Sequence, residues 1–139
     1  MLAAFMVGRI LLGGFFVMSA YEIFSQLGRL GHMVAARGVP FAEAAVAVAG
    51  ILLVVGGLSF LLGLLPRVGV AAIVLFLVPV TLIMHAFWAD RDAATRMNDI
   101  VNFSKNVALL GATLMCLAIP EPWPLSVHPR SAARVRLPA

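Results

Sequence analysis

Four long apolar runs separated by short polar connections dominate this sequence of 139 residues. The hydrocarbon core of a bilayer is about 30 Å thick, and a helix needs about 20 apolar residues to cross it. Because 63% of the residues are hydrophobic and only 12% are charged, the chain has too little polar surface for a water-soluble globule of this size. The four runs therefore predict an all-α integral membrane protein in a lipid bilayer.

The four predicted spans cover about residues 3–24, 41–64, 68–88 and 100–119. Short connections force consecutive spans to run antiparallel, which predicts a four-helix antiparallel bundle as one transmembrane domain over residues 1–119. Between the first two spans, Leu27, Leu30 and Met33 recur at helical spacing among polar residues, as in a short helix lying in the membrane interface. Residues 120–139 contain prolines and arginines without apolar periodicity, so an extended tail is expected there.

Polar side chains concentrate at one end of the predicted bundle. This loop-side end is where spans 1 and 3 finish and spans 2 and 4 begin, and the opposite, terminal-side end holds both chain termini. Ionisable residues at membrane depth are costly and by default mark functional sites. The candidate ligand-contacting residues at the loop-side end are Glu22, His85, Trp88, Lys105 and Asn106.

These candidates differ in how well an ordinary structural role explains them. Glu22 and Lys105 are opposite charges at matching depth and are expected to pair, although a solvated helix end and a snorkelling lysine explain them equally well. Trp88 also fits an aromatic belt at the membrane surface. His85 and Asn106 cannot snorkel far, so they need hydrogen-bond partners inside the bundle.

Arg9 is a sixth candidate and lies apart from the other five. It stands about six residues below the terminal-side end of the first span, where a lipid phosphate could receive it. It shares a helix face with Gly13 and Phe16, which favours an orientation into the bundle.

Several classes of function lack their signatures in this chain. Three scattered histidines and a single cysteine, Cys116, form no cluster with metal-ligand spacing, and Cys116 has no cysteine partner for a dithiol relay. Only His85 lies within a span, so a haem held by two histidines is not predicted. The basic residues are scattered rather than interleaved with aromatics, which argues against nucleic-acid binding. No catalytic motif is present, so an accessory role is favoured over a stand-alone enzyme.

Taken together, these residues resemble the DoxX family of small four-helix membrane proteins over roughly residues 5–119. The matching features are Arg9, Gly13, Phe16, Ser19 and Ala20 in the first span, Gly38 with Pro40, the glycines at 56, 57 and 63, Arg67, and residues 85–88, 105–106 and 108–111. Two positions depart from the family pattern. A lysine often follows the first span in the family, where Ile23 and Phe24 stand here, and an acid often precedes the paired glycines, where Leu53 stands.

The family is associated with quinone-linked thiosulfate oxidation, membrane oxidoreductase complexes and thiol homeostasis. The resemblance therefore implies a redox-associated membrane subunit that binds a quinone or similar amphiphile at the loop-side polar cluster. A non-catalytic accessory subunit is the alternative, packing through glycine-rich faces against partner chains or further copies of itself. A transporter or channel ranks third, because inverted repeats and a midplane ionisable site are not evident.

The basic residues do not decide which way the bundle sits. Five flank each side: Arg9, Arg67, Arg130, Arg134 and Arg136 on the terminal side, and Arg29, Arg37, Arg91, Arg96 and Lys105 on the loop side. Three tail arginines beside the bilayer are favoured next to anionic cytoplasmic lipid. Both termini are therefore expected in the cytoplasm, with the bundle in a bacterial inner membrane.

Overall fold

The structure, a computed structural model, describes residues 1–127 of the chain. Across them it has five α-helices and a short 3₁₀ helix, and no strand occurs within this range. The elements are α1 (Leu2–Ser25), α2 (Leu27–Ala36), α3 (Ala42–Leu62), α4 (Pro66–Met84), α5 (Ala93–Met115) and the 3₁₀ helix Cys116–Ala118. Helices α1, α3 and α4, together with the stretch Ala93–Ala118, are long and apolar enough to cross a membrane. The predicted all-α bundle of four spans, with a short helix between the first two, is confirmed.

Local sequence signals explain where the spans begin and end. Gly63 ends α3 with a backbone φ of 66°, in the left-handed region that glycine adopts without a steric penalty. Pro66 occupies the first turn of α4, where a backbone N–H would have no helical partner. The carboxylate of Asp92 caps α5 by accepting the Thr95 backbone N–H at 2.8 Å. This bond, with a second one from the Thr95 hydroxyl, holds the pKa of Asp92 below its ordinary value.

The four spans form an open row rather than a closed square. Helix α1 packs on α3, α3 packs on α4 and α4 packs on α5, while α1 and α5 have hardly any direct contact. The short α2 lies mainly against α3. Three of the four sides of the bundle are closed by direct helix packing, and the side between α1 and α5 is open.

Glycines bring the packed helices into close contact. A Cβ atom added to Gly13 would lie 2.9 Å from the Gly57 carbonyl oxygen, and one added to Gly57 would lie 3.0 Å from the Gly13 carbonyl oxygen. Similar crowding meets an added Cβ at Gly50, where Phe24 packs. The sequence suggested that glycine-rich faces pack against a partner chain, but these α3 glycines pack within the bundle.

The chain after α5 folds back over the terminal-side end. Trp123 is only 2% exposed and packs edge-on to Phe5, with ring centroids 5.4 Å apart, and against Phe60 at 5.8 Å. The Val127 backbone N–H donates to the Leu62 carbonyl at 2.9 Å. Residues 120–127 thus form a docked segment at this end, and the tail arginines at 130, 134 and 136 lie outside the described residues.

Candidate functional site

A cavity of about 290 Å³ lies at the loop-side end, between α1, α2, α4 and α5. It occupies the side of the bundle where α1 and α5 hardly touch. We call it the loop-side cavity. Its polar lining residues are Ser19, Glu22, Gln26, Arg29, His85, Lys105 and Asn106, and its apolar ones are Phe15, Ile23, Leu30, Phe76, Leu77, Val80 and Leu109.

The lining changes character with depth. Phe15 lies two helical turns deeper in the membrane than Glu22, a distance of ~10 Å along α1. On α4, Phe76 lies similarly deep relative to His85 at the helix end. The cavity therefore offers charged and hydrogen-bonding groups near the interface and apolar walls beneath them, which suits an amphiphilic molecule.

Asn106 is the most deeply placed polar group of the cavity on α5. It is only 8% exposed, and its side chain makes no hydrogen bond to any residue within 1–127. It also lines a second, apolar cavity of about 140 Å³ between α4 and α5. An amide that has no protein partner and lies on a cavity wall is available to a hydrogen-bonding ligand.

His85 joins the cavity to a buried carboxylate. It caps the C-terminus of α4, and its Nδ1 lies 3.2 Å from Oδ1 of Asp99 on α5. Asp99 is 6% exposed, and its other oxygen accepts a hydrogen bond from Arg37 at 3.4 Å. Asp90 lies 3.9 Å from the same Arg37 nitrogen. We call these four residues the His85 network.

Three members of this network were missed by the sequence reasoning. Asp99, Arg37 and Asp90 come from separate connections and helix ends, so depth alone did not single them out. A helical-face argument would have found one of them: Asp99 lies seven residues before Asn106 and so shares its face of α5.

The expected Glu22–Lys105 pair is not formed. Both residues line the cavity, but no ion pair joins them in the described part of the chain, and the Lys105 amine instead donates to the Asn102 side-chain oxygen at 3.0 Å. A snorkelling lysine one turn from a polar side chain finds this nearer acceptor within its own helix. Glu22 is left as a free acceptor at the cavity wall.

Trp88 lies outside the cavity. Helix α4 ends at Met84, about four residues earlier than expected, so Trp88 follows the helix and does not share a face with His85. Its ring is exposed and packs against Phe87 and Phe103, with centroids 5.1 and 6.0 Å away. This is the arrangement of an aromatic group at the membrane interface.

Arg9 lies at the opposite end of the bundle, buried under the docked segment. Its guanidinium donates to the Pro124 carbonyl at 2.8 Å, and to the carbonyls of Leu61 and Leu125 at 3.4 Å each. It therefore ties the chain after α5 to the end of α3. Arg9 thus holds the docked segment in place and does not line the loop-side cavity.

No group of three histidine, cysteine or acidic side chains within residues 1–127 could hold a metal ion. The loop-side cavity is thus a site of hydrogen-bonding and charged groups. Four of the six predicted residues meet in it: Glu22, His85, Lys105 and Asn106.

A family model described as DoxX matches residues 4–86. The match covers more than half of the chain and includes Arg9, Glu22 and His85, while α5 with Lys105 and Asn106 follows it. Comparisons with curated proteins and with solved structures find no match.

Proposed function

The chain belongs to the DoxX family of membrane proteins, and we propose that it is a redox-associated membrane subunit whose loop-side cavity binds a quinone or an amphiphile of similar shape. One observation carries this proposal. Glu22, His85, Lys105 and Asn106 come from three different helices and line one cavity with apolar walls. Such convergence of polar groups in an otherwise apolar pocket is typical of small-molecule sites.

The size of the cavity defines what part of an amphiphile it can take. Pockets for whole drug-sized ligands measure about 300–1,000 Å³, and the cavity lies at the lower limit with about 290 Å³. It therefore has room for a headgroup of one substituted ring. A hydrophobic tail would leave through the gap between α1 and α5 into the surrounding lipid.

The polar groups match the two oxygens of a quinone ring. Asn106 can donate to one oxygen or accept from it, since its amide has both functions and no partner in the described chain. Near the interface, Lys105 offers a donor, Glu22 an acceptor and His85 a ring nitrogen. Proton exchange with water is expected on the His85 side, because the His85 side chain is itself 23% exposed.

An accessory subunit without a ligand remains the second function. It is favoured by the number of glycines, which is larger than a four-helix bundle needs. Those on α3 are used for packing against α1 and α4, so they no longer favour a partner chain over self-contained folding. For this reason we place ligand binding first, with partner chains or further copies supplying any redox centre.

We further propose that the protein resides in the bacterial inner membrane with both termini in the cytoplasm. The support is the composition of the tail, whose three arginines are favoured beside anionic cytoplasmic lipid. A C-terminal alkaline phosphatase fusion tests the orientation. The fusion should be inactive, and an active enzyme would place the termini outside.

Binding of tetramethyl-1,4-benzoquinone and its hydroquinone to the purified protein in detergent tests the ligand site. We expect saturable binding of at least one form by calorimetry, above the signal of protein-free micelles. Replacing Asn106 with leucine should weaken both forms by about 5- to 10-fold, the equivalent of one lost hydrogen bond. Asn98→Leu, at an exposed position on the same helix, is the matched control. Absence of saturable binding of either form would refute the proposed function.

A further inference from the structure

We infer that the loop-side cavity selects the hydroquinone form of its ligand over the quinone form. The inference rests on the proposed function and adds to it the redox state that the site favours. It follows from the way in which Asp99 fixes His85. A ring nitrogen that accepts hydrogen bonds recognises a hydroxyl group, whereas a carbonyl oxygen needs a donor.

Asp99 decides which nitrogen of His85 carries the proton. The carboxylate oxygen 3.2 Å from Nδ1 is an acceptor, so Nδ1 must be the donor in this contact. In a neutral imidazole the other nitrogen, Nε2, then has only a lone pair to offer. Nε2 makes no hydrogen bond within residues 1–127 and is available to a ligand in the cavity that His85 lines.

Nε2 is an acceptor only in the neutral ring, and charged groups of both signs surround that ring. The groups in the cavity and in the His85 network comprise three cations and three anions: Arg29, Arg37 and Lys105 against Glu22, Asp90 and Asp99. Helix α3 adds no charge to the cavity wall, since its Glu43 packs against Gly31 of α2.

A second acceptor strengthens the preference. Glu22 lines the same cavity without an ion-pair partner in the described residues, and an ionised carboxylate can only accept. A hydroquinone hydroxyl satisfies either acceptor, with its proton remaining on the ligand oxygen. A quinone carbonyl facing His85 Nε2 or Glu22 is itself an acceptor, so neither the carbonyl nor that side chain gains a hydrogen bond. Asn106, Lys105 and Arg29 do not discriminate, because each can donate to a carbonyl oxygen or to a hydroxyl oxygen.

The experiment compares three probes on the same purified, full-length protein in detergent. They are tetramethyl-1,4-benzoquinone, its hydroquinone kept reduced under argon, and the dimethyl ether of that hydroquinone, which keeps the ring but lacks O–H donors. We expect the hydroquinone to bind about fivefold more tightly than the quinone, as one additional neutral hydrogen bond allows. The dimethyl ether should bind no better than the quinone.

Asp99→Asn tests the origin of the preference. An amide can both accept from Nδ1 and donate to it, so either tautomer of His85 becomes available. The ratio of the two affinities should fall while the protein keeps its helical circular dichroism, and the preference that remains is the contribution of Glu22. Asp92→Asn makes the same change at an exposed helix cap on α5, and it should keep the wild-type ratio.

The outcomes separate the two claims. Equal affinities, or tighter binding of the quinone, in the wild-type protein would overturn this inference and leave the quinone site in place. An unchanged ratio in Asp99→Asn would equally overturn it, because Asp99 would not set the tautomer. Failure of the protein to bind either form would remove the proposed function, and this inference with it.

Discussion

Replacing Arg9 with leucine should release the docked segment, residues 120–127, from the terminal-side end of the bundle. The guanidinium makes one short hydrogen bond, to the Pro124 carbonyl at 2.8 Å, and two long ones at 3.4 Å. A hydrogen bond from a charged donor contributes about 1.5–3 kcal/mol, and long bonds contribute less. We expect a loss of about 2 kcal/mol, which lowers the ratio of docked to undocked segment ~30-fold.

Trp123 reports this change directly. It is one of two tryptophans, so in a Trp88→Phe background it is the sole indole in the protein. Buried between Phe5 and Phe60, it should emit at short wavelength and resist quenching by acrylamide. In Arg9→Leu the emission should shift to longer wavelength and quenching should rise.

Arg67→Leu is the matched control for this prediction. Arg67 pairs with Glu121 of the docked segment at 3.3 Å, but its side chain is 83% exposed. Exposed ion pairs contribute about 0–1 kcal/mol, so the emission of Trp123 should hardly move. If Arg67→Leu exposes Trp123 as much as Arg9→Leu does, or if Trp123 is freely quenched in the parent protein, then burial of Arg9 is not what fastens the segment.

Two further predictions concern the helices themselves. Gly13→Ala should lower the thermal midpoint in detergent, because its Cβ would lie 2.9 Å from the Gly57 carbonyl oxygen. Gly14→Ala is the control: its Cβ would have nothing within 4 Å, so the midpoint should stay unchanged or rise. An equal fall of the midpoint in the two variants would contradict the α1–α3 contact. Asp92→Ala should speed hydrogen exchange in the first turn of α5 by removing the cap on Thr95. The pKa of Asp92 is lower in the folded protein than in the unfolded chain, so the cap stabilises the helix above the unfolded pKa and is lost as pH falls through the folded pKa. Acid should therefore speed the same exchange in the wild-type protein. Exchange that changes with neither the mutation nor acid would refute the cap.

The fold was predictable because the bilayer leaves few alternatives. Apolar runs long enough to cross it must be helices, and short connections make them antiparallel. Because antiparallel spans place these residues at one depth, Glu22, His85, Lys105 and Asn106 were predicted at the loop-side end. In the structure they line one cavity there. Periodicity in α2 likewise identified the short helix between the first two spans.

Side-chain partners were less predictable, because they depend on how the helices rotate and where they end. Glu22 and Lys105 share a depth, but Lys105 finds Asn102 within its own helix. Asp99 becomes the partner of His85 only because α4 ends at Met84 and α5 turns that carboxylate inward. The anchoring of Trp123 involves residues far apart in the chain, and apolar periodicity contains no signal for it.

A quinone headgroup is proposed to bind in the loop-side cavity, residues of α1, α2, α4 and α5 forming its walls. A photoreactive azido-quinone, irradiated with the protein in detergent and mapped by mass spectrometry of its peptides, tests this location most directly. The predicted labels lie between residues 15 and 30 of α1 and α2, between 76 and 85 of α4 and between 105 and 109 of α5, and an excess of tetramethylhydroquinone should suppress them. Labels confined to the lipid-facing side of α3, or spread evenly and insensitive to competitor, would contradict it.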